Sequence, residues 1–147
     1  LTGAETSEVY GLVEKLGSFK RPVESGLKVA FMGTKTFRLE KGGEKNEVQF
    51  NYSEDANARA LWDWCERLTE SAQHRIALDR AAKYDRLGVL KALNLLASAV
   101  ERKRLVGLEQ YLPTLDRIIK NESYMHTARA RASEIAEYIR SGAPPAQ

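Results

Sequence analysis

The chain holds 147 residues, 43% of them hydrophobic and 29% charged, with a formal net charge of +3. That length and mixture describe one globular domain able to bury a core without staples, and they exclude the disordered and fibrous classes. The single cysteine, Cys65, excludes an internal disulfide and a multi-cysteine metal site, and no apolar run approaches the roughly 20 residues of a bilayer crossing.

In the first segment, Val9, Leu12, Val13 and Leu16 recur at helical spacing, Thr6 or Ser7 offers a cap, and Gly17 closes the helix. Pro22 and Gly26 mark Phe19 to Gly26 as a connection. The period then changes to two. Leu27, Val29 and Phe31 share one side of LKVAFM, Phe37 and Leu39 one side of TFRL, and Val48, Phe50 and Tyr52 one side of EVQFNY. With Gly33-Thr34 as a tight turn and EKGGEKN as a longer charged loop, this pattern predicts a three-stranded antiparallel meander over about 27–52.

A lone sheet of that size is marginal in water, so its apolar face needs a cover. The following helix supplies one: Ser53 is read as its N-cap, with Glu54 and Asp55 in the first turn. Ala58, Leu61, Trp64, Cys65, Leu68, Ala72 and Ile76 form its stripe, with Arg59, Asp63, Arg67 and Glu70 opposite. It is expected to run to about Tyr84, with Trp64 in the core and Trp62 nearer the rim.

Arg86-Leu87-Gly88 turns the chain into a central helix. There Val89, Leu90, Leu93, Leu96, Ala97 and Val100 share a stripe that Leu95 widens, leaving Lys91, Asn94 and Ser98 for water. Pro113 divides the next apolar segment into a short helix up to about Tyr111 and a new one from Leu112 to Lys120. Ser123 offers a cap for the last helix, which is lined by Ala128, Ala132, Ile135, Ala136 and Ile139 and ended by Ser141-Gly142 before Pro144-Pro145. The expected fold class is α+β, mainly α: the small meander packed on a helical stack or bundle over about 54–140. The chain is read as a single domain, with an N-terminal helix and meander over 1–53, a helical layer over 54–141 and a tail over 142–147.

The run ALNLLASAVERKRLVGLEQYLPTLDRII, followed by a polar break and an alanine-rich helix, resembles one and a half armadillo or HEAT units over residues 92–140. Those families likewise place a Leu-Pro pair at the start of a repeat's second helix and a small-residue helix after it. More loosely, the segment is similar to the helical N-terminal domain of transcription elongation factors and to integrase-binding domains. The resemblance implies a helical surface that binds a protein partner. No second full repeat of that period lies upstream, whereas a solenoid needs roughly three, so an unrelated bundle with one proline-broken helix competes with it.

The catalytic inventory is thin. His74 and His126 lie far apart in sequence and fit no metal-ligand spacing. Cys65 falls on an apolar stripe and reads as an inert buried thiol, since a nucleophile needs an electropositive, partly exposed setting. Gly42-Gly43 fails the phosphate-loop pattern because a strand, not a helix, follows. Most carboxylates have a basic neighbour three or four residues away, as Asp63 has Arg67, which is ordinary surface pairing. No catalytic residue, metal ligand or cofactor is assigned.

The basic side chains carry the remaining signal. The first sixty residues hold nine basic and nine acidic side chains and the rest hold fourteen and eleven, so the excess lies in the helical part. Arg102-Lys103-Arg104 ends the central helix, where the dipole favours cations in any case. Joined by Arg75, Arg80, Lys83 and Arg86, the triplet would form a patch for an acidic protein or a phosphate backbone, with Lys103 and Arg104 as its leading contacts. No exposed aromatic run accompanies them, as single-strand stacking requires.

The expected function is a non-enzymatic interaction or scaffold module that presents a basic helical surface to a protein partner. The alternative is a nucleic-acid-associated accessory subunit, and the third reading is an enzyme with an unrecognised site. Phosphate binding should weaken steeply with salt, whereas a hydrophobic groove should hardly respond. A deep pocket gathering His74, His126 or several carboxylates would mark the enzyme. The lone cysteine leads us to expect an intracellular setting, with the compartment open. Because residue 1 is Leu, a processed form, a fragment or the ordered part of a longer protein is expected, and the oligomeric state is not legible.

Overall fold

The computed structural model describes residues 1–142. The expected tail, with Pro144-Pro145, otherwise lies outside the described residues. The chain divides into two compact units, Leu1–Glu66 and the residues from Arg67 onward. The fold is α+β and mainly helical.

In the first unit, α1 spans Gly3–Lys15. Thr2 caps it, rather than Thr6 or Ser7. The Thr2 hydroxyl accepts from the Glu5 N–H at 3.2 Å, and the Glu5 carboxylate accepts from the Thr2 N–H at 2.8 Å. This reciprocal box satisfies two N–H groups that the helix cannot pair internally. A 3₁₀ turn over Gly17–Phe19 then delivers Phe19 to the core.

β1 (Lys35–Lys41) and β2 (Glu44–Phe50) pair antiparallel, with Phe37 opposite Val48. Gly42 and Gly43 join them at φ 57° and 87°. Two successive positive φ values make a primed turn whose twist suits a hairpin, so the expected longer loop over EKGGEKN is replaced by a two-residue turn. Phe37 sits 5.4 Å from Phe19 and 5.0 Å from Phe50, ring centre to ring centre, and Val13, Leu16, Ala58 and Leu61 complete this core.

The predicted three-stranded meander is corrected to this two-stranded hairpin. Residues 27–32 alternate as a strand does but pair with neither β1 nor β2. The Asn51 side chain takes their place in the hydrogen bonding: its oxygen accepts from the Met32 N–H at 2.8 Å and its amide donates to the Ala30 carbonyl at 3.1 Å. Glu24 steadies Asn51 in turn, accepting its backbone N–H at 2.7 Å, and that bond holds the Glu24 carboxyl below its ordinary value. One side-chain amide therefore meets a donor and an acceptor that a sheet neighbour would have met, which alternation alone does not reveal.

α2 spans Ala56–Tyr84, its first residues belonging to the first unit and the remainder to the second. Asp55 caps it by accepting from the Asn57 N–H at 2.8 Å, while the expected cap, Ser53, is buried and accepts from the Asp55 N–H at 3.2 Å. The expected stripe holds through Ala58, Leu61 and Trp64, with Trp62 partly exposed. It then fails. Cys65, Leu68, Ala72 and Ile76 are exposed, and Ser71, Leu78 and Ala82 are buried instead.

In the second unit, α3 (Val89–Glu101), α4 (Leu112–Lys120) and α5 (His126–Ser141) pack with the later part of α2. Leu78, Leu93, Leu96, Leu115, Ile118 and Ile135 fill the core, and Ala128 and Ala132 let α5 approach closely. Leu95 is exposed, so the α3 stripe is narrower than expected. Pro113 lies in the first turn of α4, after a 3₁₀ turn over Leu108–Tyr111. Ser123 does not cap α5, whose N-cap is Met125, and Gly142 ends it at φ 69° with its N–H on the Tyr138 carbonyl at 2.8 Å. No described helix is long and apolar enough to cross a membrane.

Polar groups tie this core together. The Ser71 hydroxyl donates to the Arg67 carbonyl and accepts from the Val106 N–H, both at 2.8 Å. The Tyr111 hydroxyl donates to the Ser71 carbonyl at 2.7 Å, and burial pushes its pKa up to about 12. The Tyr124 hydroxyl donates to the Ala82 carbonyl at 2.6 Å.

Ser71→Ala strands the buried Val106 N–H and is expected to cost about 1–3 kcal/mol, read as a lower urea midpoint at unchanged slope. For Glu24, a lowered folded pKa means that its bonds stabilise the chain above the ordinary value of 4.5 and are lost as the pH falls through the folded value. Hydrogen-exchange protection of the Asn51 and Tyr52 amides should accordingly fall as the pH is taken below 4.5.

Candidate functional site

The seven basic side chains singled out in the sequence lie on two stretches of chain, and Arg75, five residues beyond Glu70 on α2, stands nearer the level of the triplet than Lys83 does. Arg75, Arg80, Lys83 and Arg86 lie along the last turns of α2 and just beyond them, and Arg102, Lys103 and Arg104 lie at the end of α3. Arg104 Nε reaches Glu70 of α2 at 3.2 Å, which sets the triplet beside that level of the helix. Lys83 lies about 20 Å further along the α2 axis, at 1.5 Å per residue.

The triplet is shaped by how α3 ends. The Lys103 N–H bonds the Val100 carbonyl at 2.9 Å and the Arg104 N–H bonds the Ala99 carbonyl at 3.0 Å, the paired closure of a Schellman motif. Such a motif needs a left-handed residue, and here Lys103 takes it at φ 55°, where glycine is the unstrained choice. Arg102 Nε donates to the Ser98 carbonyl at 3.3 Å, and Arg104, with its ion pair to Glu70, is the least exposed of the three. Lys103 projects into solvent with no ion pair among the described residues.

At the other end, the corner between α2 and α3 is built on Asp85. Its carboxylate accepts from the Gly88 N–H at 2.9 Å and its main-chain carbonyl from the same N–H at 3.0 Å; a Cβ at Gly88 would push that carboxylate aside. This turn holds two large apolar side chains outward, Tyr84 at 74% and Leu87 at 80% exposure. Lys83 Nζ stands 5.0 Å from the centre of the Tyr84 ring, a cation–π contact. Arg75 pairs with Asp79 one turn on, at 3.8 Å, whereas Arg80 and Arg86 are exposed without an ion pair among the described residues.

Tyr84 and Leu87 were not singled out from the sequence. The available signal was KYDRLG itself, an aromatic and a leucine among cations in a segment too short to bury them.

The remaining candidates do not converge. His74 is partly buried within α2, and His126 is the exposed first residue of α5. Cys65 is exposed, not buried as expected, because the α2 stripe turns away from it; partial desolvation pushes its thiol above the ordinary 9.0. Among the described residues, no group of three or more His, Cys, Asp or Glu side chains is placed to hold a metal ion.

No family model matches the chain, and neither the curated proteins nor the solved structures contain a match to it.

Lys103→Gly relieves the left-handed strain and is expected to raise stability by about 0.5–1 kcal/mol in urea unfolding. Iodoacetamide should alkylate Cys65 more slowly at neutral pH in the folded chain than in the urea-unfolded chain, since the raised thiol pKa lowers the thiolate fraction.

Proposed function

We propose that the chain is a non-enzymatic interaction module whose helical unit binds an acidic segment of a protein partner at the corner between α2 and α3. The observation that carries this is the exposure of Tyr84 and Leu87 amid Arg80, Lys83 and Arg86. Burying an apolar side chain of that size against a partner is worth about 1.5–3 kcal/mol. The surrounding cations add steering and orientation for carboxylates. Arg102, Lys103 and Arg104 would form a second, outlying contact. A helical surface for a protein partner is also what the resemblance of residues 92–140 to armadillo and HEAT units implies.

A phosphate backbone would use the same cations yet leave Tyr84 and Leu87 in water, which favours the protein partner. Phosphate contacts also lose affinity steeply as salt rises, through counterion release.

Capture from the native source by wild type and by three double variants, at low and at high salt, tests this. Tyr84→Ser with Leu87→Ser should abolish capture of the partner at both salts. Arg80→Glu with Arg86→Glu should weaken it about tenfold, chiefly at low salt. Unchanged affinity in Lys103→Glu with Arg104→Glu removes that pair from the site. Capture that survives the Tyr84 and Leu87 changes but vanishes with salt or nuclease assigns the surface to nucleic acid and sinks the proposal.

A further inference from the structure

Within the first unit, β1 pairs with β2 along one edge only. An apolar groove of about 310 Å³ runs beside β1, with Val9 and Val13 of α1 and Leu61 of α2 on its far walls. Four consecutive β1 residues, Thr36 to Leu39, line it, so it meets both faces of the strand. Their β2 partners, Asn46 to Gln49, do not line it, which places the groove on the open edge. On that edge every second residue of β1 turns its N–H and C=O away from β2, a template for another strand.

The same unit carries an apolar segment, 27–32, with no strand to pair with, bent at Lys28 where the Val29 N–H bonds the Leu27 carbonyl at 3.0 Å. Leu27, Val29, Phe31 and Met32 are all exposed, the last two at 77% and 81%. The N–H groups of Lys28, Ala30 and Phe31 make no hydrogen bond among the described residues. In its own chain the segment is tied by Asn51 to the end of β2, and none of its residues lines the groove. A lipid surface would cover these side chains but leave the amides unsatisfied. A strand edge covers the side chains and pairs the amides on one side of the segment, those of Lys28 and Ala30. Leu27, Val29 and Phe31 share one face at the spacing of a strand, and Lys28 is the only charge from residue 25 to residue 34.

We propose that two copies of this chain exchange the segment: residues 27–32 of one copy add as a third strand to the open edge of β1 in the other, seating Leu27, Val29 and Phe31 in its groove. Each copy carries one groove and one segment, so the exchange closes on itself as a two-fold dimer. The three-stranded sheet that the sequence pattern predicts is completed between molecules, and the β1 edge is no longer open.

Sedimentation equilibrium of the full chain reads this directly, and a concentration-dependent dimer is expected. Phe31→Asp should raise the dissociation constant about a hundredfold, since both copies lose a buried ring. Because Phe31 is exposed in the single chain, the variant's circular dichroism and melting should match wild type at concentrations well below the dissociation constant, where both are single chains. Cys65 also lines the groove, which provides a cross-linking test. Under oxidation, a Phe31→Cys, Cys65→Ser double variant mixed with wild type should form a disulfide between its introduced thiol and Cys65 of the other copy. Three results overturn the proposal: a monomer up to about 100 μM, a micromolar affinity being worth roughly 8 kcal/mol; a dimer indifferent to Phe31→Asp; or a double variant that cross-links chiefly to itself. The first would leave the groove to a strand from a different protein.

Discussion

The Ser71 hydroxyl reaches back to the Arg67 carbonyl and outward to the Val106 N–H, while the Ser71 carbonyl accepts the Tyr111 hydroxyl. The bonds to Val106 and Tyr111 are buried, where an unmet partner costs about 1–3 kcal/mol. The three bonds determine which face of α2 points inward. Leu78 lies two turns beyond Ser71 on the same face, and Ala82 one turn beyond that. Leu68, Ala72 and Ile76 are thereby left to solvent, although their spacing looks like a core stripe. The same bonds fix where the chain goes after α3, because residues 104–106 must pass Glu70 and Ser71. The place of the basic triplet thus follows from a buried serine.

The other basic stretch is set by a different constraint. Asp85 closes the corner onto Gly88, accepting its N–H through both the carboxylate and the main-chain carbonyl. Tyr84 and Leu87 stay outside, with Arg80, Lys83 and Arg86 close by in sequence. Lys103 holds a left-handed conformation better suited to glycine, which costs some stability.

The first unit faces a problem of scale. Two strands alone are marginal in water, and the packed rings of Phe19, Phe37 and Phe50, the first pair stacked and the second tilted, supply with Ala58 and Leu61 of α2 what the short hydrogen-bond ladder cannot. That core holds the hairpin without closing its sheet. An open strand edge beside an apolar groove, in a unit that also displays an unpaired apolar segment, is the configuration that natural sheets usually avoid by charge, bulges or cover.

What the sequence determined by itself was the local part. The capping glycines, Pro113 at the start of α4, the alanine face of α5 and the alternation of β1 and β2 act within a turn or a strand pair, and each residue carries its own reason. The tertiary structure alone decided the number of paired strands, the inward face of α2 beyond Trp64 and the place of the basic triplet against α2. Each of these turns on a bond between residues far apart in sequence: Asn51 with Ala30 and Met32, Ser71 with Val106, Arg104 with Glu70. Periodicity records which side chains prefer to be buried. It does not record which polar group is waiting at the far side of the core to make burial tolerable, and in this protein that choice governs which side chains are left on the surface.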